Sequence, residues 1–117
     1  MTPTETKSGV TLLREKDAPY EELAPGREVT QVVDNLDVGD LGGGFFRQTK
    51  PGAEYTCKVL GNEILFVYEG ELEVVSEDGS SVVAHSGEGI LIEQGTTVTF
   101  RGNEGTRHFW VIHPAIY

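Results

Sequence analysis

Between Tyr55 and Gly102, apolar and polar positions alternate with a period of two and are interrupted at short intervals by turn residues. Residues 63–70, Glu-Ile-Leu-Phe-Val-Tyr-Glu-Gly, form an apolar run opened by a carboxylate and turned at Glu69-Gly70. Residues 71–75 run back, with Leu72 and Val74 alternating with Glu71 and Glu73, the pattern of a strand with one wet face. Asp78-Gly79 supplies a second turn that needs positive φ. Residues 81–84 return, Gly87-Glu-Gly89 turns again, and Ile90-Leu-Ile92 reads as a buried strand that ends at Gly95. In the next strand Thr96, Val98 and Phe100 share one face, and Thr97, Thr99 and Arg101 the other. A meander of this kind cannot bury both faces as an open sheet. An all-β fold is expected, closing into a barrel or a two-sheet jelly roll.

The flanking segments are less regular. Residues 10–13 and 54–59 read as strands, and so do residues 28–33, with Val29, Gln31 and Val33 opposite Thr30 and Val32. Residues 20–23 suit either one helical turn or an extended crossing, ended by Pro25-Gly26. Asp34-Asn35 and Asp37-Val-Gly39 mark a loop. Gly42, Gly43 and Gly44 lie inside a strand, where a corner between sheets is the first expectation and a backbone beside a ligand the second. The last strand, residues 106–113, is apolar on both sides at Phe109, Trp110, Val111 and Ile112, and Pro114 stops it. Burial of both faces near a terminus points to a second subunit over the outer face, hence a homodimer.

At 117 residues the chain is long enough for one domain, spanning 1–117, with a flexible tail at 1–8 and a barrel core over 38–115. Nineteen acidic against nine basic residues give a formal charge of −10. That sign repels phosphate backbones and anionic membrane surfaces, so neither nucleic acid nor membrane is an expected partner. Cys57 is the single cysteine, which excludes an internal disulfide framework and suits a reducing compartment. The first eight residues lack an apolar signal region and no stretch approaches the roughly 18 apolar residues of a spanning helix, so the cytoplasm is expected.

The spacing of Glu63, six residues and Gly70, with Gly52 upstream, resembles the end of the first cupin motif. Gly87 and Gly95 match the glycines of the second. The metal-binding positions depart from the family: Glu93 stands in place of the proline, Val98 of the histidine and Gly102 of the asparagine, and no histidine occupies residues 56–59. Within cupins, Gly44-Phe45, residues 63–70 and residues 107–115 are most similar to the ethanolamine-utilisation Q type and related short cupins. The resemblance implies a single-domain cupin jelly roll, leading segments that lie across a neighbouring subunit, and service to a metabolic operon or microcompartment. An acetate-kinase-like activity is also associated with that family, yet no phosphate-binding motif is present here.

If Glu63 keeps the cupin register, its carboxylate points into the barrel with Leu65 and Val67 following inward. A carboxylate among apolar side chains must be paired, hydrogen-bonded, metal-bound or protonated. Desolvation raises its pKa and makes it a candidate general acid or base; a remnant satisfied by Tyr or backbone donors is the alternative. Cys57 falls near the first histidine position and shares a face with Tyr55 and Val59. It is either half of a metal site with Glu63 or a small buried hydrophobe. His85 precedes a turn and reads as solvated. His108 shares a face with Trp110 and Ile112, whereas His113 shares one with Arg107, Phe109 and Val111, and periodicity does not say which face lines the interior. His108 is the candidate proton carrier beside Glu63, with a structural histidine as the alternative. The opposite face would bring in Arg107 as a clamp for a carboxylate or phosphate.

The expected site therefore has Glu63 and His108 as catalytic groups and Tyr55, Phe45, Val98, Phe100, Trp110 and Arg107 as substrate contacts. No cofactor is expected; a divalent metal, if bound, would draw on Glu63, Cys57 and His108. The function expected is acid–base chemistry of the isomerase, lyase or cyclase type on a small oxygenated molecule. The alternatives are a non-catalytic small-molecule binding or regulatory module, and an accessory protein of an ethanolamine-utilisation-like operon.

Overall fold

The computed structural model describes residues 5–7, 9–34 and 39–115. Along the chain run β1 (Glu5–Lys7), β2 (Val10–Leu12), a 3-10 turn (Glu15–Asp17), β3 (Glu21–Ala24), β4 (Arg27–Val29) and β5 (Gly42–Gln48). They are followed by β6 (Glu54–Lys58), β7 (Asn62–Glu69), β8 (Glu71–Ser76), β9 (Ser81–His85), β10 (Gly89–Ile92), β11 (Thr97–Gly102) and β12 (Arg107–His113). A six-stranded sheet has the order β10-β7-β12-β5-β4-β3 and a four-stranded sheet the order β6-β11-β8-β9, all antiparallel. β1 and β2 pair with each other as a separate hairpin. Among the described residues no helix is long and apolar enough to cross a membrane.

The two sheets share one core, which makes the fold a cupin jelly roll. From the larger sheet, Leu65, Val67, Ile92 and Trp110 point inward; from the smaller, Leu72, Val74, Val98 and Phe100 meet them. In β7, as the register of Glu63 implies, Leu65 and Val67 are fully buried while Ile64, Phe66 and Tyr68 are exposed. β10, expected to be buried, is so on one face only, with Leu91 exposed between Ile90 and Ile92. Gly70 (φ 80°) turns the chain from one sheet to the other between β7 and β8, and Gly79 (φ 90°) closes the β8–β9 hairpin.

Of the two readings of residues 20–23 the extended one holds, since β3 pairs with β4. Two other expectations for the N-terminal half need correction. β4 ends at Val29, because residues 30–33 leave the strand conformation and lie along β5, where Thr30 N–H donates to the Phe45 carbonyl (2.8 Å) and Val32 N–H to that of Gly43 (2.9 Å). The Thr30 hydroxyl in turn accepts from Phe45 N–H at 2.9 Å. The glycines of β5 make no corner, since β5 stays in one sheet throughout. A Cβ on Gly44 would fall 2.1 Å from the Thr30 carbonyl oxygen, so glycine is what lets this segment pack against the strand. Of the expected tail at 1–8, residues 5–7 form β1, while residues 1–4 and 8 lie outside the described residues, as do residues 35–38 of the expected loop.

Candidate functional site

The interior is filled at one part and hollow at another. Where it is hollow, a cavity of about 530 Å³ opens between the sheets, and the segment leading into β4 closes one side of it with Ala18, Pro19, Leu23 and Val29. Each strand that reaches the cavity brings alternate residues. β6 brings Tyr55 and Cys57, β7 brings Glu63, β11 brings Phe100, and β12 brings His108 and Trp110. The registers agree: Tyr55 is opposite Phe100, Cys57 opposite Val98, and His108 opposite Phe46, each pair sharing a face.

The structure thus settles which face of β12 looks inward. His108 (3% exposed) and Trp110 do, aided by a one-residue register shift between β12 and β7 at Arg107/His108. Arg107 and Phe45 must be moved out of the site. Phe45 is opposite Phe109 on the outer face, where their rings meet edge to face at 5.0 Å. Arg107 also faces outward, paired with Glu15 and 3.7 Å from Glu69, so it is no clamp for a ligand in the cavity. Val98 points inward but belongs to the core, and it borders a second, more open depression of about 390 Å³ with Val74, Ile90 and Ile92. His85, as read, is exposed, 3.3 Å from both Glu71 and Glu88.

The electrostatics of the cavity follow from burial. Desolvation raises Glu63 from the ordinary 4.5 to about 7, so near neutrality it is present in both protonation states. The same effect, together with the charge of Glu63, pushes the Cys57 thiol up to about 11 and raises the Tyr55 phenol. His108 moves the other way, to about 3, first because it is buried and second because Arg27 is nearby. It is a neutral imidazole at physiological pH. Its ring stacks on Phe46 at 4.9 Å, and the Arg27 guanidinium lies over the same Phe46 ring at 4.7 Å.

Two polar groups of the lining have no partner. The indole Nε1 of Trp110 and the amide Nε2 of Gln31 are buried without a hydrogen bond. An unsatisfied buried donor costs about 1–3 kcal/mol, which an acceptor oxygen of a ligand would recover. Gln31 was not singled out from the sequence, nor were Glu21, Asp34 and Phe46, which also border the cavity. The available signal was a glutamine sharing a strand face with Val29. Arg27, 1% exposed, was likewise missed; it donates through NH1 to Gln48 Oε1 (2.7 Å), and its Nε and NH2 have no partner.

Many cupins hold a divalent metal. Cys57, Glu63 and His108 border one cavity, but no group of three or more His, Cys, Asp or Glu side chains is close enough to hold an ion among the described residues. Burial and the Glu63 charge raise the Cys57 thiol, so it is protonated in the empty cavity, and the three side chains are not gathered into one donor set among the described residues.

The family model described as ethanolamine utilisation protein EutQ matches residues 20–117. Among solved structures, an ethanolamine utilization protein Q from Salmonella typhimurium LT2 is 24% identical, with 97% of this chain and 93% of that chain covered and a TM-score of 0.81. An RmlC-like cupin from Shewanella frigidimarina NCIMB 400 is 19% identical over 88% of this chain and 89% of that one, with a TM-score of 0.72. The polyketide cyclase RemF from Streptomyces resistomycificus is 20% identical over 90% and 79%, also with a TM-score of 0.72. No curated protein matches the chain. The structural likenesses carry the cupin fold, and an enzyme stands among the neighbours.

Proposed function

The chain belongs to the EutQ family of ethanolamine utilisation proteins, and from that premise we propose that it is an enzyme carrying out acid–base chemistry on a small oxygenated molecule in the barrel cavity. The observation that carries this reading is Glu63: a carboxyl raised to about 7, inside a largely apolar cavity, with no hydrogen-bond or ion-pair partner among the described residues. A group poised near the working pH can both take and return a proton. In the proposed cycle the Glu63 carboxylate removes a proton from a carbon next to a carbonyl. Trp110 Nε1–H and the Gln31 amide are the donors that hold the oxygen where negative charge develops. Return of the proton to a different atom gives an isomerisation, and its delivery to a departing hydroxyl gives water and a dehydration. His108, neutral and stacked on Phe46, positions the ligand and takes up no proton at neutral pH.

The second reading is a binding or accessory module in which the same cavity holds a ligand without turnover, favoured by the loss of the cupin metal ligands at Val98 and residues 56–59. One experiment separates the two. The protein is incubated in deuterated water with a panel of hydroxy-, oxo- and amino-substituted small molecules, and proton NMR follows exchange of carbon-bound hydrogen and loss of water. Turnover of at least one compound, lowered about 100-fold or more in Glu63→Gln, is the expected result. Compounds that raise the melting temperature but never exchange or react would leave the binding module. Full activity in Glu63→Gln would remove Glu63 from the mechanism.

We also propose that the working form is a homodimer joined through the outer face of the six-stranded sheet. Ile64 (57% exposed), Phe66 (47%) and Leu91 (64%) lie there with half-buried Phe109 and Val111, an apolar surface that a monomer would leave to water.

A further inference from the structure

The cavity meets solvent along the segment that precedes β4. Pro19, Glu21 and Leu23 border it and are exposed, whereas Phe46, Phe100, His108 and Trp110 on its other walls are buried. Two stretches of this segment are held firmly. In the 3-10 turn, Arg14 N–H donates to Asp17 Oδ2 and Asp17 N–H to the Arg14 carbonyl, both at 3.0 Å, and Asp17 is buried. β3 is held by its pairing with β4 from Glu21 onward. Between them, residues 18–20 belong to neither the turn nor the strand. Ala18 and Pro19 border the cavity, while the Tyr20 ring is seated against Arg47, which stands opposite Arg107 on the outer face of the six-stranded sheet. There the Tyr20 phenol donates to Glu15, which also accepts from Arg107 NH1. The Arg47 guanidinium covers the Tyr20 ring at 3.6 Å and directs Nε to Glu28 at 2.6 Å. Burial first, and the hydrogen bond to Glu15 second, raise the phenol above its ordinary range, so it stays protonated and keeps donating. Arg47, Glu28, Arg107 and Glu15 are all partly exposed. Contacts of this kind are individually weak, so a ring held by them can leave.

We propose that residues 18–20 are a gate at the mouth of the cavity, with Tyr20 as its bolt. While the ring is seated between Arg47 and Glu15, Ala18 and Pro19 narrow the mouth. When it is released, they swing outward between the closed turn and β3 and let a ligand pass. Opening parts no strands, because the pairing of β3 with β4 begins one residue after Tyr20. Tyr20 touches no ligand in this device; it acts by positioning Ala18 and Pro19. The gate is independent of what the cavity holds and of whether Glu63 turns it over.

Cys57 supplies the reporter, since it is the single cysteine and borders the cavity. The full chain is alkylated with a bulky neutral maleimide, N-(1-pyrenyl)maleimide, and with the small N-ethylmaleimide. The ratio of the two rates reads the width of the mouth, because the reactivity of the thiol itself cancels. Tyr20→Ala is expected to raise the ratio about tenfold or more, and Tyr20→Phe, which keeps the ring under Arg47 and loses the donor to Glu15, about threefold. Low concentrations of urea separate the gate from unfolding: a local opening leaves the bulky reagent's rate nearly flat, whereas global unfolding raises it with the full denaturant slope. A ratio unchanged in both variants would overturn the proposal. So would a bulky-reagent rate that follows global unfolding at every urea concentration. Neither result bears on Glu63, whose turnover is read separately by exchange of carbon-bound hydrogen.

Discussion

The His108 imidazole lies parallel to the Phe46 ring, with 4.9 Å between centroids and 8° between planes, and Arg27 covers the same phenyl ring. Burial first, and the buried cation second, hold the imidazole down to about 3. His108 is therefore expected to keep constant ring chemical shifts from about pH 5 to about pH 8 in a histidine-labelled sample. Arg27→Met should raise its midpoint and still leave it below the ordinary 6.5, because the desolvation, the larger cause, remains. A His108 resonance that titrates near 6.5 in the wild type would show an open, hydrated ring.

Glu63 ties stability to pH. Its folded-state value is raised, so between 4.5 and about 7 the folded protein holds a proton that the unfolded chain releases. The contribution is fully present below 4.5 and is lost as pH rises through 7. His108 acts in the opposite sense, since its lowered value gives stability present above 6.5 and lost as pH falls toward 3. Comparing wild type with Glu63→Gln isolates the first term. The variant should be more stable by about 3 kcal/mol near pH 8, and the difference should fade toward pH 5, read by urea denaturation at each pH.

Gly44 has no room for a side chain, with the Thr30 carbonyl oxygen 2.1 Å from where a Cβ would sit, whereas Gly39 has nothing within 4 Å. Gly44→Ala should destabilise by about 3 kcal/mol or more and release the segment at residues 30–33 from β5; Gly39→Ala should stay within about 0.5 kcal/mol of wild type. Hydrogen exchange at Val32 and Phe45 amides reads the local effect directly, since both donate across this contact.

These contrasts bear on what the sequence could and could not disclose. In β8 and β11 one face is wet, and the period-two pattern assigns Leu72, Val74, Val98 and Phe100 inward without help from tertiary structure. β7 is apolar on both faces, and only the register of Glu63 places Leu65 and Val67 inward. β12 defeats that logic because both faces are apolar: Trp110 fills the core while Phe109 meets Phe45 outside. Pairing register, not composition, decides between Arg107 and His108, and a register shift lies at that very step. The glycines of β5 announced a close approach without naming the approaching chain, Thr30, which is 14 residues earlier than Gly44. Arg27 and Gln31 sat in a polar stretch where nothing local marks burial; their sequestration comes from the way residues 27–33 fold back along β5.

The outer face of β7 and β10 predicts the oligomer. Phe66→Lys places a charge in the exposed apolar patch, at a side chain that is 47% exposed in the monomer. The wild type is expected to run as a dimer in light scattering, and Phe66→Lys to shift it to monomer, or raise the dissociation constant about 100-fold, with its β-sheet spectrum unchanged. A wild type that is monomeric at all concentrations would contradict the proposed interface.

The most direct measurement is the titration of the Glu63 carboxyl carbon by NMR in protein labelled at glutamate, with the resonance assigned by its absence in Glu63→Gln. The account predicts a midpoint near 7, the value burial imposes, with the protonated and ionised forms both populated at neutral pH. A midpoint near the ordinary 4.5 would mean a hydrated or paired carboxylate with no proton to give at neutral pH, and the acid–base role assigned to Glu63 would fall.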